Sequence, residues 1–168
     1  STARLGASVI GPFSEALTVG FTSAAEIVDQ FTETFDELLV SQVEPGLADL
    51  GRPAFLVDYP AVLGALARKK PSDPRFAERF ELYIAGIELC NGFSELTDSA
   101  EQRDRFQKEQ RLRRSCGKKE YPMPDAFLDV LNDMPSACGN ALGIDRLVML
   151  FADTDKIDDV VAFTPEEL

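Results

Sequence analysis

The chain has 168 residues, of which 45% are hydrophobic and 27% charged, a composition typical of a folded globular domain. Its 17 basic and 29 acidic side chains give a formal charge of −12, so any surface for nucleic acid would need a local basic patch. The chain contains no histidine, which excludes Ser-His-Asp and Cys-His nucleophile systems and imidazole metal sites built from this chain alone.

Hydropathy and cysteine usage give expectations for membrane association and for the redox state of the compartment. No apolar run approaches the roughly 18 residues that a membrane helix needs, so we expect no membrane-spanning segment and no membrane partner. The three cysteines, Cys90, Cys116 and Cys138, are widely spaced and show no CxxC pattern. This usage favours a reducing, cytoplasmic setting over a disulfide framework.

The first half of the chain predicts one helix and one strand. Residues 1–22 show no sustained hydrophobic period, and we treat them as a poorly specified N-terminal segment. Apolar side chains then recur at helical spacing from Ser23 to about Glu44, and Pro45-Gly46 is expected to end this amphipathic helix. Residues 54–58 form a short apolar run between two prolines, which predicts a strand.

The second half predicts a hairpin followed by helices. Residues 68–75 are charged and interrupted by proline, which predicts a loop. Two strand-like runs, residues 79–85 and 87–91, meet at Ala85-Gly86 and predict a β-hairpin. The later elements are a basic helix from Ser99 to about Gly117, a short helix from Pro124 or Asp125 to Leu131, and a glycine-bearing strand or turn from Gly139 that leads into an apolar helix ending near Phe151. This mixed order lacks a βαβ rhythm and favours an α+β fold with an antiparallel sheet.

Carboxylates recur on one face of the predicted hairpin. A symmetric turn would pair residue 83 with 88 and residue 81 with 90, so that Glu81, Tyr83, Glu88 and Cys90 share a face. The opposite face would be apolar. Such a polar face is common on a half-buried sheet. The alternative is a hard-cation site, because two nearby carboxylates repel unless Mg²⁺ or an arginine lies between them.

A bulge would extend this face toward the end of the second strand. Asn91, Phe93 and Glu95 have the opposite parity to Glu88, and a bulge near Cys90–Gly92 would return them to the carboxylate face. An aromatic ring between an amide and a carboxylate suits an ammonium-bearing ligand. The alternative is a bulged strand end that leads into a capped helix.

Two segments resemble one family. Residues 80–98 (Phe-Glu-Leu-Tyr-Ile-Ala-Gly-Ile-Glu-Leu-Cys-Asn-Gly-Phe-Ser-Glu-Leu-Thr-Asp) resemble the amino-acid- and metal-binding strands of class II lysyl-tRNA synthetases. Residues 139–150 (Gly-Asn-Ala-Leu-Gly-Ile-Asp-Arg-Leu-Val-Met-Leu) resemble class II motif 3, which carries the ATP-binding arginine. The chain is most similar to the short paralogue that attaches lysine or β-lysine to elongation factor P, with Ala141 where the synthetase proper usually has glycine. Ser94 is more typical of the synthetase, so charging of tRNA stays open.

The resemblance implies a nucleotide site. Glu81 and Glu88 would hold Mg²⁺ on the phosphates of ATP, and Arg146 would lie against the adenine and the terminal phosphate. Gly143 would leave room for the nucleotide. Glu88 and Arg146 would then be the residues most directly involved in catalysis, which the resemblance implies to be aminoacyl-adenylate formation.

The resemblance also implies an amino-acid site. Asn91, Phe93 and Glu95 would form the pocket for the lysine side chain, with Glu95 facing the ε-ammonium. Ala141, with one methyl group more than glycine, would reshape the pocket around the backbone of the amino acid and influence the choice between lysine isomers.

The match covers about residues 52–168, and residues 23–168 are interpreted as the C-terminal part of a class II catalytic domain. No counterpart of motif 1 or motif 2 is found, so we expect this fragment alone to be inactive, and ATP binding or pyrophosphate exchange by it would contradict this. The resemblance implies a homodimeric full-length enzyme that uses ATP and Mg²⁺ and transfers lysine to elongation factor P or to tRNA. A non-catalytic, synthetase-like binding module is the remaining alternative.

Overall fold

A five-stranded sheet organises the protein, whose computed structural model describes residues 2–4 and 24–164. In spatial order the sheet is β1-β2-β5-β6-β7, and β3 and β4 form a separate two-stranded sheet. The strands in chain order are β1 (Thr2–Arg4), β2 (Ala54–Val57), β3 (Lys69–Lys70), β4 (Asp73–Ala77), β5 (Arg79–Ile84), β6 (Ile87–Ser94) and β7 (Cys138–Leu142). All neighbours in the large sheet are antiparallel except β1 and β2, which confirms the predicted α+β class. Most of the N-terminal segment 1–22 lies outside the described residues.

The helices are α1 (Ala24–Leu38), α2 (Glu44–Ala48), α3 (Ser99–Ser115), α4 (Asp125–Leu131) and α5 (Ile144–Ala152). The predicted elements at 99–117, 125–131 and 139–151 are therefore confirmed to within a few residues. Within the described part of the chain, none of these helices combines the length and the apolar character that a membrane span requires.

The prediction that Pro45-Gly46 ends the first helix is wrong. A π-helical turn, Leu39–Val43, follows α1, and the chain continues directly into α2. Pro45 is tolerated because it lies in the first turn of α2, where the backbone N–H that proline lacks would have no intrahelical partner.

The prediction of an irregular loop over residues 68–75 is also wrong. Lys69 pairs with Ala77 and Lys70 with Asp73, which makes β3 and β4 an irregular two-stranded ladder. Pro74 fits there because a two-stranded sheet consists only of edge strands, which tolerate a missing backbone donor.

The turn between β5 and β6 is as tight as predicted. Ala85 and Gly86 have φ values of 50° and 80°, and two positive φ values in a two-residue loop define a type I′ hairpin turn. A Cβ atom on Gly86 would stand 2.9 Å from Cβ of Ala48, so the turn also packs closely against the end of α2.

The main core lies on the face of the sheet that α1 and α2 cover. It comprises Phe35 and Leu47 from the helical segment, Ala54 and Leu56 from β2, and Tyr59 and Tyr83. Leu56 pairs with Glu81 and Ala54 pairs with Tyr83 across the ladder, so these side chains share that face. The face that carries Glu81 is therefore the covered one.

Helix α3 is capped at both ends. The carboxylate of Asp98 accepts hydrogen bonds of 2.9 Å from the backbone N–H groups of Ala100 and Glu101. Gly117, with φ of 65°, ends the helix in a Schellman motif, in which the backbone N–H of Lys118 donates to the carbonyl of Arg113 at 2.8 Å.

Candidate functional site

A bulge in β6 sets which side chains share the face of the site. Glu88 lies opposite Tyr83 as predicted, but Cys90 lies opposite Leu82, so Leu89 is the extra residue. The predicted pairing of residue 81 with 90 is therefore wrong, and Glu81 lies opposite Asn91 instead. Cys90 consequently belongs to the opposite face. The bulge predicted near Cys90–Gly92 is present one residue earlier. As expected, it places Asn91 on the same face as Glu81 and Glu88.

The carboxylate of Glu81 lies at the centre of a buried hydrogen-bond network. The residue is 5% exposed. Its Oε2 accepts from the hydroxyls of Tyr59 at 2.5 Å and Tyr83 at 2.8 Å. Its Oε1 accepts from Nη2 of Arg79 at 2.5 Å and from Nδ2 of Asn91 at 3.1 Å. A carboxylate offers about four lone-pair positions, so all of them are in use.

Arg79 ties this network together. Its Nε donates to Oδ1 of Asn91 at 3.2 Å, so the Asn91 amide is held from both ends. Its guanidinium carbon lies 4.3 Å from the ring centroid of Tyr59, which adds a cation–π contact. The orientation of Asn91 at the site is thus determined by a buried ion pair and not by Asn91 alone.

Burial and the neighbouring carboxylate change the acidity of both phenols. Desolvation, followed by the hydrogen bond to Glu81 and its negative charge, raises the pKa of Tyr59 far above its usual range. The pKa of Tyr83 is raised for the same reasons, and Glu44 and Glu88 add to the effect. Both hydroxyls therefore remain protonated donors in the folded protein.

A spectroscopic titration tests this protonation state. Because the folded-state pKa exceeds the unfolded value of about 10, these phenols contribute stability that is fully present below that pH and is lost as the pH rises above it. We expect the tyrosinate absorbance of Tyr59 and Tyr83 to rise only together with loss of the far-UV circular dichroism. The measurement uses a Tyr121→Phe variant, which removes the third tyrosine of the chain. Tyrosinate formation in a protein that keeps its dichroism would contradict the geometry.

A cavity of about 330 Å³ lies beside this network, between β6, β7 and the start of α5. Arg146 reaches into its wall, and its Nη1 donates to the backbone carbonyl of Glu88 at 2.8 Å and lies 3.3 Å from Oε2 of Glu88. Gly143 opens α5, and its backbone N–H donates to the carbonyl of Leu89 at 2.8 Å. The five predicted site residues that line this cavity are Glu88, Asn91, Ala141, Gly143 and Arg146.

The other three predicted site residues lie outside the cavity lining. Glu81 adjoins it through Asn91. Phe93 lies opposite Gly139, two residues along the ladder from the pair formed by Asn91 and Ala141, and so continues the same face. Glu95 follows, and its Oε1 lies 2.6 Å from the position that a Cβ atom on Gly139 would occupy. Phe93 and Glu95 thus extend the face that begins at the cavity.

The carboxylate of Glu95 differs from that of Glu81 in having no hydrogen-bond or ion-pair partner among residues 2–4 and 24–164. Glu95 is partly buried, yet none of the described residues donates a hydrogen bond to its side chain or forms an ion pair with it. Its backbone is fixed, because its N–H donates to the carbonyl of Ala137 at 3.0 Å and it forms an isolated bridge with Ala67. A half-buried carboxylate on a fixed backbone, with its acceptor oxygens free of described partners, can accept a cation from a ligand.

The available donor atoms fit a nucleotide and one divalent cation. Nη2 and Nε of Arg146 have no hydrogen-bond partner among the described residues and are free to bind phosphate oxygens. Oε1 of Glu88 is similarly unpartnered within the described chain, as a Mg²⁺ ligand must be. A metal contact by Glu81 would instead require one of its four donors to leave.

Sequence reasoning missed Tyr59 and Gly139. Tyr59 lies 22 residues before Glu81 and carries no spacing signal that connects the two. Gly139 was quoted only as the first residue of a motif, and its contact with Glu95 depends on the register between β6 and β7. Arg79 lies two residues before Glu81, but no spacing in the sequence indicates its bond to Asn91.

Comparison with known proteins identifies one family. The model for tRNA synthetases class II (D, K and N) matches residues 28–167. The elongation factor P--(R)-beta-lysine ligase of Erwinia tasmaniensis is 49% identical over 128 residues, covering 76% of this chain and 39% of the relative. The ligase of the same name from Vibrio cholerae is 43% identical over 150 residues, covering 88% of this chain and 46% of the relative. A lysine--tRNA ligase from Anaeromyxobacter sp. (strain K) is 45% identical over 113 residues, covering 67% of this chain and 22% of the relative. The chain thus spans less than half the length of each of these relatives.

Proposed function

The chain belongs to the class II tRNA synthetases (D, K and N), and from that premise we propose that the protein carrying it activates lysine or a lysine isomer with ATP and transfers it to elongation factor P. The observation that carries this proposal is the partly buried carboxylate of Glu95, which no described residue pairs with, on the face that also bears Phe93. The names of the ligases that are 43–49% identical support the choice of lysine and of this acceptor.

The amino-acid end of the site follows from the sheet face. The ε-ammonium would pair with Glu95, and the aliphatic part of the side chain would pack along Phe93. Asn91, whose amide is held by Arg79 and Glu81, would line the pocket as a fixed polar group. A rigid pocket suits discrimination between isomers, and Ala141, directly opposite Asn91, is the residue we expect to influence that choice.

The cavity between β6, β7 and α5 is the proposed binding site for ATP. Arg146 would bind the adenine face and the terminal phosphate of ATP, and the absence of a side chain at Gly143 would leave the approach open. Glu88 would hold a Mg²⁺ ion that neutralises phosphate charge when it is bound. The four lone-pair positions of Glu81 are already occupied. We therefore assign Glu81 to the same site as the residue that holds Asn91 through a hydrogen bond.

The proposed reaction has two steps. A carboxylate oxygen of lysine attacks the α-phosphorus of ATP, the bond from that phosphorus to the bridging oxygen of the β-phosphate breaks, and pyrophosphate leaves. An acceptor amine then attacks the acyl carbon of the adenylate and releases a proton, and AMP leaves. Both steps depend on positioning and on stabilisation of phosphate charge, and neither requires an imidazole. A chain without histidine is compatible with this chemistry.

The proposal is tested by lysine-dependent exchange of labelled pyrophosphate into ATP. The gene product that carries this sequence is assayed with L-lysine, β-lysine and norleucine, followed by transfer of labelled lysine to elongation factor P or to tRNA. We expect exchange with lysine or β-lysine, none with norleucine, and transfer to elongation factor P. Exchange that does not depend on a lysine isomer would contradict the proposal.

Two other functions have a specific observation in their favour. Lysine--tRNA ligases are 45% identical to the chain, so labelled tRNA in place of labelled elongation factor P would identify a synthetase proper. No counterpart of motif 2 occurs in the sequence given, so lysine binding without any exchange would identify a non-catalytic module. For the 168-residue chain alone, we maintain the expectation of no exchange.

The basic helix α3 gives a more specific hypothesis for the acceptor. Five of its cations form ion pairs with nearby carboxylates. Arg111, Lys118 and Lys119, at the C-terminal tip of α3, form no ion pair within the described chain and are exposed. Elsewhere the chain is strongly acidic, so this tip is the natural place for an acidic acceptor to bind.

A charge reversal tests this docking hypothesis. Changing Arg111, Lys118 and Lys119 to glutamate is expected to reduce transfer to the acceptor about tenfold, because electrostatic attraction speeds encounter with an anionic partner. Pyrophosphate exchange should not change, since it involves no acceptor. Arg75→Glu, at an exposed arginine of β4, is the control. Equal transfer rates for the triple variant and the control would remove this hypothesis.

A further inference from the structure

On the face of the site, the side chain of Glu95 occupies the space that a side chain on Gly139 would need. A Cβ atom on Gly139 would stand 2.6 Å from Oε1 of Glu95, a separation that real Cβ atoms essentially never show. The next nearest atom is Cδ of the same side chain, at 3.8 Å. The carboxylate therefore lies where a side chain at position 139 would begin.

The backbone at Gly139 does not itself require glycine. The described glycines with positive φ are Gly51, Gly86 and Gly117, and Gly139 is not among them. Glycine inside a strand is unfavourable, because it is flexible in the unfolded chain and provides no side chain to pack. Gly139 nevertheless lies within the β6–β7 ladder, and among the described residues the close contact that a side chain here would make is with the Glu95 carboxylate.

Glu95 cannot avoid a larger residue at position 139 by moving its backbone. Its N–H is bonded to Ala137 on one side, and its bridge to Ala67 holds it on the other. A methyl group at position 139 would therefore have to rotate the carboxylate away from its present position. A displacement of about 1 Å at a binding group can cost roughly 100-fold in rate or affinity.

We propose that Gly139 is a specificity-determining residue, because the absence of a side chain there leaves free the position from which the Glu95 carboxylate recognises a cationic side chain. This inference rests on the proposed function, in which Glu95 binds the ε-ammonium of lysine. Gly139 acts through Glu95 and is a positioning residue. No described residue forms a hydrogen bond or an ion pair with the Glu95 carboxylate. The space beside Gly139 therefore has a large influence on where that carboxylate lies.

The experiment compares Gly139→Ala with Gly46→Ala, a glycine whose Cβ would meet nothing within 4 Å. Lysine binding to the 168-residue chain is measured by calorimetry, and KM values for lysine and ATP are measured by exchange in the gene product. We expect Gly139→Ala to weaken lysine binding and raise the lysine KM about tenfold. The KM for ATP should stay at the wild-type value in both variants. Gly46→Ala should keep the wild-type lysine affinity and should not lower the melting temperature, because alanine is favoured over glycine inside a helix.

A rescue variant distinguishes displacement of the carboxylate from a general disturbance of the strand. Gly139→Ala combined with Glu95→Asp shortens the acidic side chain by one methylene group and makes room for the new methyl. We expect this double variant to discriminate lysine from norleucine better than Gly139→Ala does. A double variant that is no better, or a Gly139→Ala protein with wild-type lysine affinity and selectivity, would overturn the inference.

Failure of the proposed function has a different signature. In that case the wild-type protein shows no lysine-dependent pyrophosphate exchange, whatever the result for the variants. If that protein still binds lysine and Gly139→Ala weakens the binding, the inference on specificity holds without the activity. If the wild-type chain and gene product show neither lysine binding nor exchange, both are overturned together.

Discussion

Replacing Glu81 with glutamine is expected to lower the free energy of unfolding by about 3 kcal/mol, the lower end of the range for removing one partner of a buried ion pair. The glutamine side chain has one acceptor oxygen in place of two, and its amide nitrogen would face donors instead of acceptors. Two of the four groups now bonded to Glu81 would lose their partner, and Arg79 would lose its counter-charge. Unfolding in urea, followed by circular dichroism, measures the change.

An exposed ion pair provides the control for this variant. Asp73→Asn removes the carboxylate partner of Arg75 on β4, where water screens the interaction. We expect its stability to be within error of the wild type. A Glu81→Gln protein as stable as Asp73→Asn would mean that the buried network contributes little, and it would also weaken the argument that Asn91 is held in a fixed orientation.

The hairpin illustrates how much of the fold is contained in local sequence. Ala85-Gly86 and the flanking alternation predict β5 and β6, and the type I′ turn forms where expected. Asp98 and Gly117 act as the caps of α3 because the preferences of cap residues depend on a few neighbouring backbone groups. The turn and the caps are predictable because their hydrogen bonds join residues no more than five positions apart.

The features that sequence failed to predict depend on distant contacts. The network around Glu81 requires Tyr59, which β2 and the following segment bring to β5 only after the sheet has formed. The continuation of the chain through Pro45-Gly46 depends on a π-helical turn, for which no sequence period gives a signal. In each case a tertiary interaction overrides a local preference.

The bulge occupies an intermediate position between these cases. A bulge near Cys90–Gly92 is one of two interpretations that the sequence allows, but Gly92 pairs regularly with Phe80 and the extra residue is Leu89. The hydrogen bond from Gly143 N–H to the carbonyl of Leu89 continues the β6–β7 register beyond Leu142 and gives the bulged residue a backbone partner. A segment more than 50 residues away thus contributes to the register of the site.

The second prediction concerns the ammonium site itself. Glu95→Gln is expected to reduce discrimination between lysine and norleucine about 100-fold, since a charge-assisted hydrogen bond contributes roughly 1.5–3 kcal/mol. The glutamine is nearly isosteric and avoids a new clash with Gly139, so the loss would come from the charge. The measurement is the ratio of kcat/KM for lysine to kcat/KM for norleucine in pyrophosphate exchange. The KM for ATP is measured alongside and should not change.

The chain offers a matched control for Glu95→Gln. Glu101 is also partly exposed, but it already forms ion pairs with Lys69 and Arg105, and the hydrogen bond from Lys69 is the first cause that lowers its pKa. Its replacement by glutamine removes the same charge from the first turn of α3 and should leave selectivity unchanged. If the two variants lost selectivity equally, the effect would come from net charge and Glu95 would not be the ammonium site. If only Glu95→Gln lost selectivity, then Glu95, whose carboxylate has no partner in the described part of the chain, would be the residue that selects a cationic amino acid.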